Sequence, residues 1–325
     1  MAALSGAAAS TDSIIAQVAS YQQRGMVAES AELLHGYLTQ KKTRAWSHEL
    51  EKIMILYIRV GLDLEGVEPL EEALVSFRLL TQEGNVTSLE KVLTQLIDCI
   101  KDKIDQGVAA SGMSLKESVG SHQPFNIFMA LFDEGYALRE RLQRSWENLV
   151  WAFKFVVSLT HGHPKLESIH AAFIRKAFDY YAAIDSFDEI SDLCRLSSAQ
   201  LSEAFSLGAL HPDSLDRPFD LHLNQASTAC EVGLLSQAFA SFQNVRRVLD
   251  AGKLLNTRMA RYFKALSAFF RQTDCLGFAK AALLKHFEYQ KRLLADPEEL
   301  NRTAAEVIVL AALSDEGSGE GALSP

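Results

Sequence analysis

The chain has 325 residues, 48% of them hydrophobic, and carries a formal net charge of −9 at pH 7. That is ample apolar material for one extended or two compact domains, while the negative balance opposes a general phosphate-tracking surface, so any RNA contact is expected to be local. No run of about 18 uncharged apolar residues occurs, so no segment is expected to span a membrane.

Residues 1–12 are rich in Ala and Ser and hold no Arg or Lys. This argues against a secretory or mitochondrial leader and predicts a disordered cytosolic N-terminus. Helical hairpins are expected over 13–105. Two helix-like stretches meet at Gly25, and the second runs out into Gln40-Lys41-Lys42-Thr43-Arg44-Ala45-Trp46, which places three cations and an indole on a connector between hairpins. Ile53, Leu56, Tyr57, Val60 and Leu64 then recur at spacings of three and four and share one helical face. Thr87 to Glu90 reads as a capping box.

From 106 to 144 the chain turns Gly- and Ser-rich, as a loop or insertion with a possible short helix, dividing the first helical group from a second over 145–313. Arg139, Arg141 and Arg144 form a second basic cluster at its end, diluted by Glu140. Trp46, Trp146 and Trp151 lie at or inside helix starts, where hairpin packing outweighs base stacking. Ser186 to Glu189 reads as another capping box. Arg246 and Arg247 fit a helix end whose dipole they complement. Met259, Phe263, Leu266 and Phe270 form one apolar stripe, and Leu300, Ala304, Val307, Ile308 and Ala311 another. Asp296-Pro297-Glu298-Glu299 starts the last helix with an N-cap, a proline in the first turn and two acids at the positive end of the dipole. The acidic Gly/Ser tail, 314–325, is expected to be disordered.

Helix pairs repeat loosely. Tyr21, Gly25 and Ala31 form a pattern echoed by Ala229, Gly233, Ala238 and Phe239. Such a small residue lets two helices approach, and the turn glycine ends the first. The fold expected is all-α, a right-handed superhelical solenoid of tetratricopeptide-like hairpins with irregular unit length. A non-repeating helical bundle is the alternative.

Motifs that carry chemistry are absent. His161, His163 and His170 fall close together, but no Cys or carboxylate completes a metal-ligand spacing, and His163 before Pro164 reads as a helix start. The four cysteines, Cys99, Cys194, Cys230 and Cys275, are far apart in apolar stretches and are expected to be buried thiols. No Gly-rich phosphate loop or nucleophile motif occurs. Paired acids such as Glu71-Glu72 read as solvated helix faces. Neither enzyme activity nor a cofactor or metal is expected.

The segment from Lys41 to Asp98 resembles the N-terminal region of the family formed by the largest subunit of eukaryotic translation initiation factor 3. The elements that carry the likeness are Lys-Lys-x-Arg-x-Trp at 41–46, Ile53-Met54-x-x-Tyr57, Val60 with Asp63-Leu64, and Val86-x-Ser88-Leu89-Glu90-x-Val92. It resumes at Trp146, Ala177-Phe178, Leu193-Cys194, Gln237-Ala238-Phe239, Arg261-Tyr262-Phe263 and Val309-Leu310-Ala311-Ala312-Leu313-Ser314. The resemblance implies a cytoplasmic, non-catalytic scaffold that docks on the small ribosomal subunit, against ribosomal protein and local rRNA, and supports preinitiation-complex assembly and mRNA recruitment. It implies other subunits of the factor as partners, especially B and C, with mRNA met indirectly. Lys41, Lys42 and Arg44 match the family motif and, with Arg139, Arg141 and Arg144, are the candidate contact residues. Members continue past the equivalent of Leu313 into a winged-helix module, where this chain has its acidic tail. The expectation carried here is therefore docking by the repeat region. The competing reading is an adaptor of a proteasome-lid-like or signalosome-like complex.

Overall fold

The apolar periodicities condense into helices, and among the described residues every regular element is helical. The computed structural model describes residues 11–39, 46–64, 66–112, 114–116, 136–208, 215–252, 255–293 and 296–316. In chain order the α-helices are α1 (Thr11–Gln23), α2 (Val27–Leu38), α3 (His48–Gly61), α4 (Glu68–Thr81), α5 (Val86–Ser111) and α6 (Tyr136–Thr160). They continue as α7 (Glu167–Ala183), α8 (Phe187–Ser206), α9 (Asp216–Glu231), α10 (Leu235–Ala251), α11 (Asn256–Gln272), α12 (Leu276–Arg292) and α13 (Pro297–Glu316). None of these helices is long and apolar enough to cross a membrane.

Four hairpins close through the same backbone device. The amide of Met26 donates to the carbonyl of Tyr21 (2.9 Å), Ser186 to Tyr181 (2.9 Å), Leu234 to Ala229 (2.8 Å) and Cys275 to Phe270 (2.9 Å). Each bond spans six residues and, with the inner bond from the preceding residue, forms a Schellman motif that satisfies the last carbonyls of the first helix. The residue before each donor, Gly25, Asp185, Gly233 or Asp274, takes a positive φ of 75°, 55°, 81° or 54°. Glycine adopts that conformation freely, and Asp is among the few other residues that visit it. The next helix starts one residue beyond the donor in every case. The tetratricopeptide-like hairpin expected from the Gly25 and Gly233 patterns is thus present, and it also recurs where aspartate replaces the glycine.

The chain divides into two compact units, Met1–Phe173 and Ile174–Pro325, and the division falls within α7. This differs from the expected separation at 106–144. α5 runs to Ser111, past the boundary set at 105, and ends on Gly112 at a φ of 66°. α6 begins at Tyr136, inside the expected insertion, and packs back on α5. The cause is visible in the contacts: Trp151 Nε1 on α6 donates to Glu71 Oε1 on α4 at 2.5 Å, and Lys101 on α5 lies over the Phe153 ring at 6.0 Å. The core of this unit includes the fully buried Leu34, Ile53, Met54, Phe77, Leu96 and Phe153.

In the second unit, hairpin α9–α10 stands beside hairpin α11–α12. Gln237 Nε2 and Asn244 Nδ2 on α10 donate to Ser191 and Ser198 on α8, each at 2.9 Å, and Arg247 reaches Ser202 at 3.0 Å. These rungs advance together along both helices, so α8 and α10 run parallel. α9 and α11 do the same, joined by Arg258 and Arg261 to Asp220 and by Cys230 Sγ to Gln272 Oε1 (2.7 Å). Between them lies a core in which Ala226, Ala229 and Ala238 are wholly buried beside Phe219, Phe242 and Val245. Small residues there let the helices approach closely enough for the aromatic rings to interlock.

Several local expectations are corrected. Thr87 lies inside α5 and is exposed, because Asn85 is the N-cap. Ser186 is an N-cap, but its hydroxyl bonds the Glu189 carboxylate rather than a helix amide. The Met259, Phe263, Leu266, Phe270 stripe is only half-buried, and Ala260, Tyr262, Ser267 and Phe269 are the buried positions of α11. Ile308 is 68% exposed, since α13 turns Thr303, Val307 and Leu310 inward. Cys194 and Cys230 are buried as expected, but Cys99 is half-buried and Cys275 exposed on its turn. By contrast, the Asp296 carboxylate accepts the Glu298 amide at 3.2 Å, which makes the expected start of α13.

His222 on α9 is 1% exposed, and its Nδ1 has no partner among the described residues. Burial pushes its pKa down to about 4, with the nearby Arg247 adding to the effect, so the folded protein holds a neutral imidazole. Because the unfolded chain binds that proton more readily, stability declines as pH falls from about 6.5 towards about 4. Replacing His222 with Leu removes this part of the slope in urea melts run across that range. At the turns, Gly233→Ala meets no steric neighbour yet retains a positive φ, and is expected to cost ~1–2 kcal/mol. Gly36→Ala, inside α2 and equally uncrowded, is expected to stabilise by ~0.5–1 kcal/mol. Chemical denaturation reads both signs.

Candidate functional site

The candidate contact residues fall in different settings. Lys41, Lys42 and Arg44 lie outside the described residues. The helix that follows them is firmly anchored, however. Trp46 Nε1 donates to Ser88 Oγ at 2.9 Å, and Ser88 Oγ in turn donates to Glu51 Oε2 at 2.6 Å. Lys91 Nζ completes the network on Glu51 Oε1 at 2.5 Å. Glu51 is only 4% exposed. Burial alone would raise its pKa, but the hydrogen bonds from Lys91 and Ser88 outweigh it and hold the carboxyl below its ordinary value. Ser47 then caps α3 by accepting the Leu50 amide at 3.2 Å. The indole is therefore committed to joining α3 to α5.

On α6, Arg141 and Arg144 are exposed, and Arg144 pairs loosely with Glu140 at 3.5 Å. The side chain of Arg139 lies outside the described residues. Trp146 is buried, and Trp151 stacks on Phe155 at 5.5 Å, so both serve packing. The three histidines separate by role. His170 Nδ1 sits 3.1 Å from both Thr160 Oγ1 and the Val157 carbonyl. His161 lies against the His170 ring, with centroids 5.6 Å apart. His163 and Lys165 converge on Glu83, at 3.3 and 2.6 Å, and the Lys165 hydrogen bond leads in lowering the Glu83 pKa. Among the described residues no cluster of three His, Cys, Asp or Glu side chains could hold a metal ion.

The second unit holds a basic surface that no contiguous run of cations announces. α11 carries Arg258, Arg261, Lys264 and Arg271 and no acidic residue. α12 adds Lys280, Lys285, Lys291 and Arg292 against the lone Glu288. These cations are spread along two helices, and several answer to acids: Arg258 and Arg261 pair with Asp220, Arg271 with Glu306 and Lys285 with Glu288. Arg261, Lys264 and Arg271 stand with Ala268 on the exposed face of α11. Arg246 and Arg247, expected as dipole partners, instead pair with Asp250 at 3.0 Å and stack on Phe205 at 4.8 Å, respectively.

A family profile described as "eIF3a, PCI domain, TPR-like region" matches residues 22–322. Among similar curated proteins, the eIF3a subunit of eukaryotic translation initiation factor 3 from Arabidopsis thaliana is 25% identical over 312 residues, covering 89% of this chain and 31% of its own length. The same subunit from Neurospora crassa is 24% identical over 288 residues, covering 81% and 27%. The chain thus spans about a third of the length of these relatives. A circular tandem repeat protein of solved structure covers 96% of this chain and is itself covered to 66%, at 14% identity and a TM-score of 0.31.

The Trp46–Ser88–Glu51 network yields its own test. Glu51→Ala leaves the Ser88 hydroxyl without its acceptor, and is expected to cost ~1–3 kcal/mol in urea denaturation. It should also red-shift the fluorescence of Trp46, read in a Trp146→Phe/Trp151→Phe background that leaves this indole alone. The wild type's advantage should be complete above the ordinary carboxylate pKa of 4.5 and shrink as pH falls through the lowered value.

Proposed function

The chain belongs to the eIF3a PCI/TPR-like family, and on that premise we propose that it is a non-catalytic helical scaffold of translation initiation factor 3. In this reading it works in the cytoplasm, docks on the small ribosomal subunit and supports assembly of the preinitiation complex. mRNA is recruited through the assembly rather than held by this chain. Subunits B and C are the partners it meets within the factor. The observation that carries the reading is the family match across residues 22–322, which takes in both compact units. Recurrent hairpins closed by one turn geometry suit a scaffold, because such repeats present extended lateral surfaces rather than a pocket.

The charge distribution supports docking of a particular kind. A net charge of −9 favours basic protein partners, while local cations are left to meet phosphate. Lys41, Lys42 and Arg44 directly precede the anchored Trp46, and Arg141 and Arg144 are exposed on α6. These residues, with Arg139, are the contact candidates of the first unit. The named relatives are all initiation-factor subunits, which disfavours an adaptor role in a proteasome-lid-like or signalosome-like complex.

Sedimentation of the purified chain with small and large ribosomal subunits across a salt series tests the proposal. Selective association with small subunits is expected, and its absence at physiological salt overturns the docking role. Lys41→Glu/Lys42→Glu/Arg44→Glu should weaken association about tenfold or more if the first connector makes the contact, with Arg141→Glu/Arg144→Glu testing the α6 edge in the same assay.

A further inference from the structure

The longest apolar stripe of α11 stays half-buried because its neighbours pack on either side of it. α10 meets α11 at Tyr262 and Phe269: the Phe242 ring lies 6.3 Å from the first and 5.4 Å from the second, and Phe239 stacks on Phe269 at 6.2 Å. α12 meets α11 along another line, where Ser267 donates to the Ala279 carbonyl at 3.0 Å and His286 Nδ1 donates to the Ala260 carbonyl at 2.9 Å. Successive helical residues are rotated by about 100°, so Met259, Phe263, Leu266 and Phe270 fall between those two lines. All four are half-buried. They floor a groove that has α10 as one wall and α12 as the other.

The walls are apolar at one end and charged at the other. Near the turns, Phe239 of α10 is 50% exposed and Phe278 of α12 is 66% exposed, with the Phe278 ring 5.3 Å from Phe270. Solvent-facing phenylalanines beside a half-buried stripe make a contiguous apolar surface of the kind that marks a protein contact. Towards the far end, Tyr289 of α12 stacks on Phe263 at 5.7 Å, and the Arg292 guanidinium covers Tyr289 at 5.2 Å. Arg246 stands on the α10 wall. Burial raises the Tyr262 pKa and the nearby Arg246 charge works against it. Arg246 pairs with Asp250 at 3.0 Å, and Lys285 with Glu288 at 2.9 Å. Arg246, Lys285 and Arg292 set against those two carboxylates leave this end net positive.

We infer that this groove receives an amphipathic α-helix of a protein partner, with an apolar stripe facing α11 and carboxylates at the end that meets Arg246, Lys285 and Arg292. The floor residues recur at spacings of four, three and four, which makes a helical ridge against which a second helix packs. From Met259 to Phe270 the floor runs about 16 Å, the length of three helical turns. A ligand recognised by charge alone would leave Phe239 and Phe278 in water, and a purely apolar one would leave the cations unanswered. The inference rests on the scaffold role proposed above and specifies the chemistry of one partner surface.

Fluorescence anisotropy on the whole chain tests it with two labelled peptides of one composition, each about 16 residues long, beside labelled polyglutamate. The first peptide spaces its leucines by three and four and clusters glutamates at one end; the second scrambles the leucine positions. The striped peptide is expected to bind, and the other two to bind at least about tenfold more weakly. Phe239→Gln/Phe278→Gln, at two solvent-facing positions, should lower its affinity about tenfold. Arg246→Gln/Lys285→Gln/Arg292→Gln should lower it several-fold and flatten its salt dependence. Thermal melts that match the wild type certify both folds. Absent binding of the striped peptide, equal binding of the scrambled one, or indifference to the phenylalanine substitutions overturns the inference. So does sedimentation velocity in which the chain alone self-associates through the same phenylalanines, because a second copy is then the occupant. Small ribosomal subunits sedimented with the same samples separate the two readings. Association without peptide binding removes this inference and keeps docking; substitution-sensitive peptide binding without association does the opposite.

Discussion

A left-handed residue at the end of a helix is the constraint on which the hairpins depend. The chain must turn back within three or four residues and still satisfy the last carbonyls of the helix it leaves. The amide of residue six bonded to the carbonyl of residue one does both, but only if residue five takes a positive φ. Gly25 and Gly233 meet that condition freely, and Asp185 and Asp274 at some conformational cost. Once the turn is set, the entry angle of the next helix follows, and with it which faces become buried. Ala31 and Ala238, early in the second helix of their hairpins, are buried for this reason.

Packing between hairpins uses a different chemistry. Serines on α8 receive the amides and guanidinium of α10, and carboxylates on α9 receive the arginines of α11. Directional polar bonds set the register of neighbouring helices, while alanine-lined contacts set their distance. The first unit relies more on buried polar bridges, as where Glu51 holds both Ser88 and Lys91 and Glu71 receives the Trp151 indole. A carboxylate buried with full hydrogen bonding costs little once formed and much if stripped of its partners.

Much of the architecture was legible. The three-and-four spacing of Ile53, Tyr57 and Val60 placed them on a buried face, and the acids around Pro297 marked a helix start. The turn at Gly25 was legible because glycine advertises its conformation; Asp185 and Asp274 do not, since aspartate fills many other places. Thr87 misled because a Thr-x-x-Glu spacing also occurs inside helices. The α6 start was hidden by the Gly/Ser composition upstream, although Trp151 and its partner Glu71 were both conspicuous; eighty residues of separation conceal a bond that only the fold brings together. Among contact candidates, the contiguous Lys41-Lys42-x-Arg44 stood out, whereas the charge on α11 and α12 is diluted along each helix and needs a helical face to collect it. A helix of seventeen residues without a single acid, on a chain of net charge −9, is the signal that would have exposed it.

The rungs between α8 and α10 join residues 46, 46 and 45 apart in sequence, and the turns join residues closer still. Nearly all the order in the second unit is therefore written at short range along the chain. Loop closure of that length costs little entropy, so contact order is low and folding is expected to be fast. The hairpin α9–α10 has what it needs to form once Ala251 has cleared the ribosome, and α11–α12 then adds to a template already standing. Growth of the polypeptide and growth of the fold run in the same direction, one hairpin at a time.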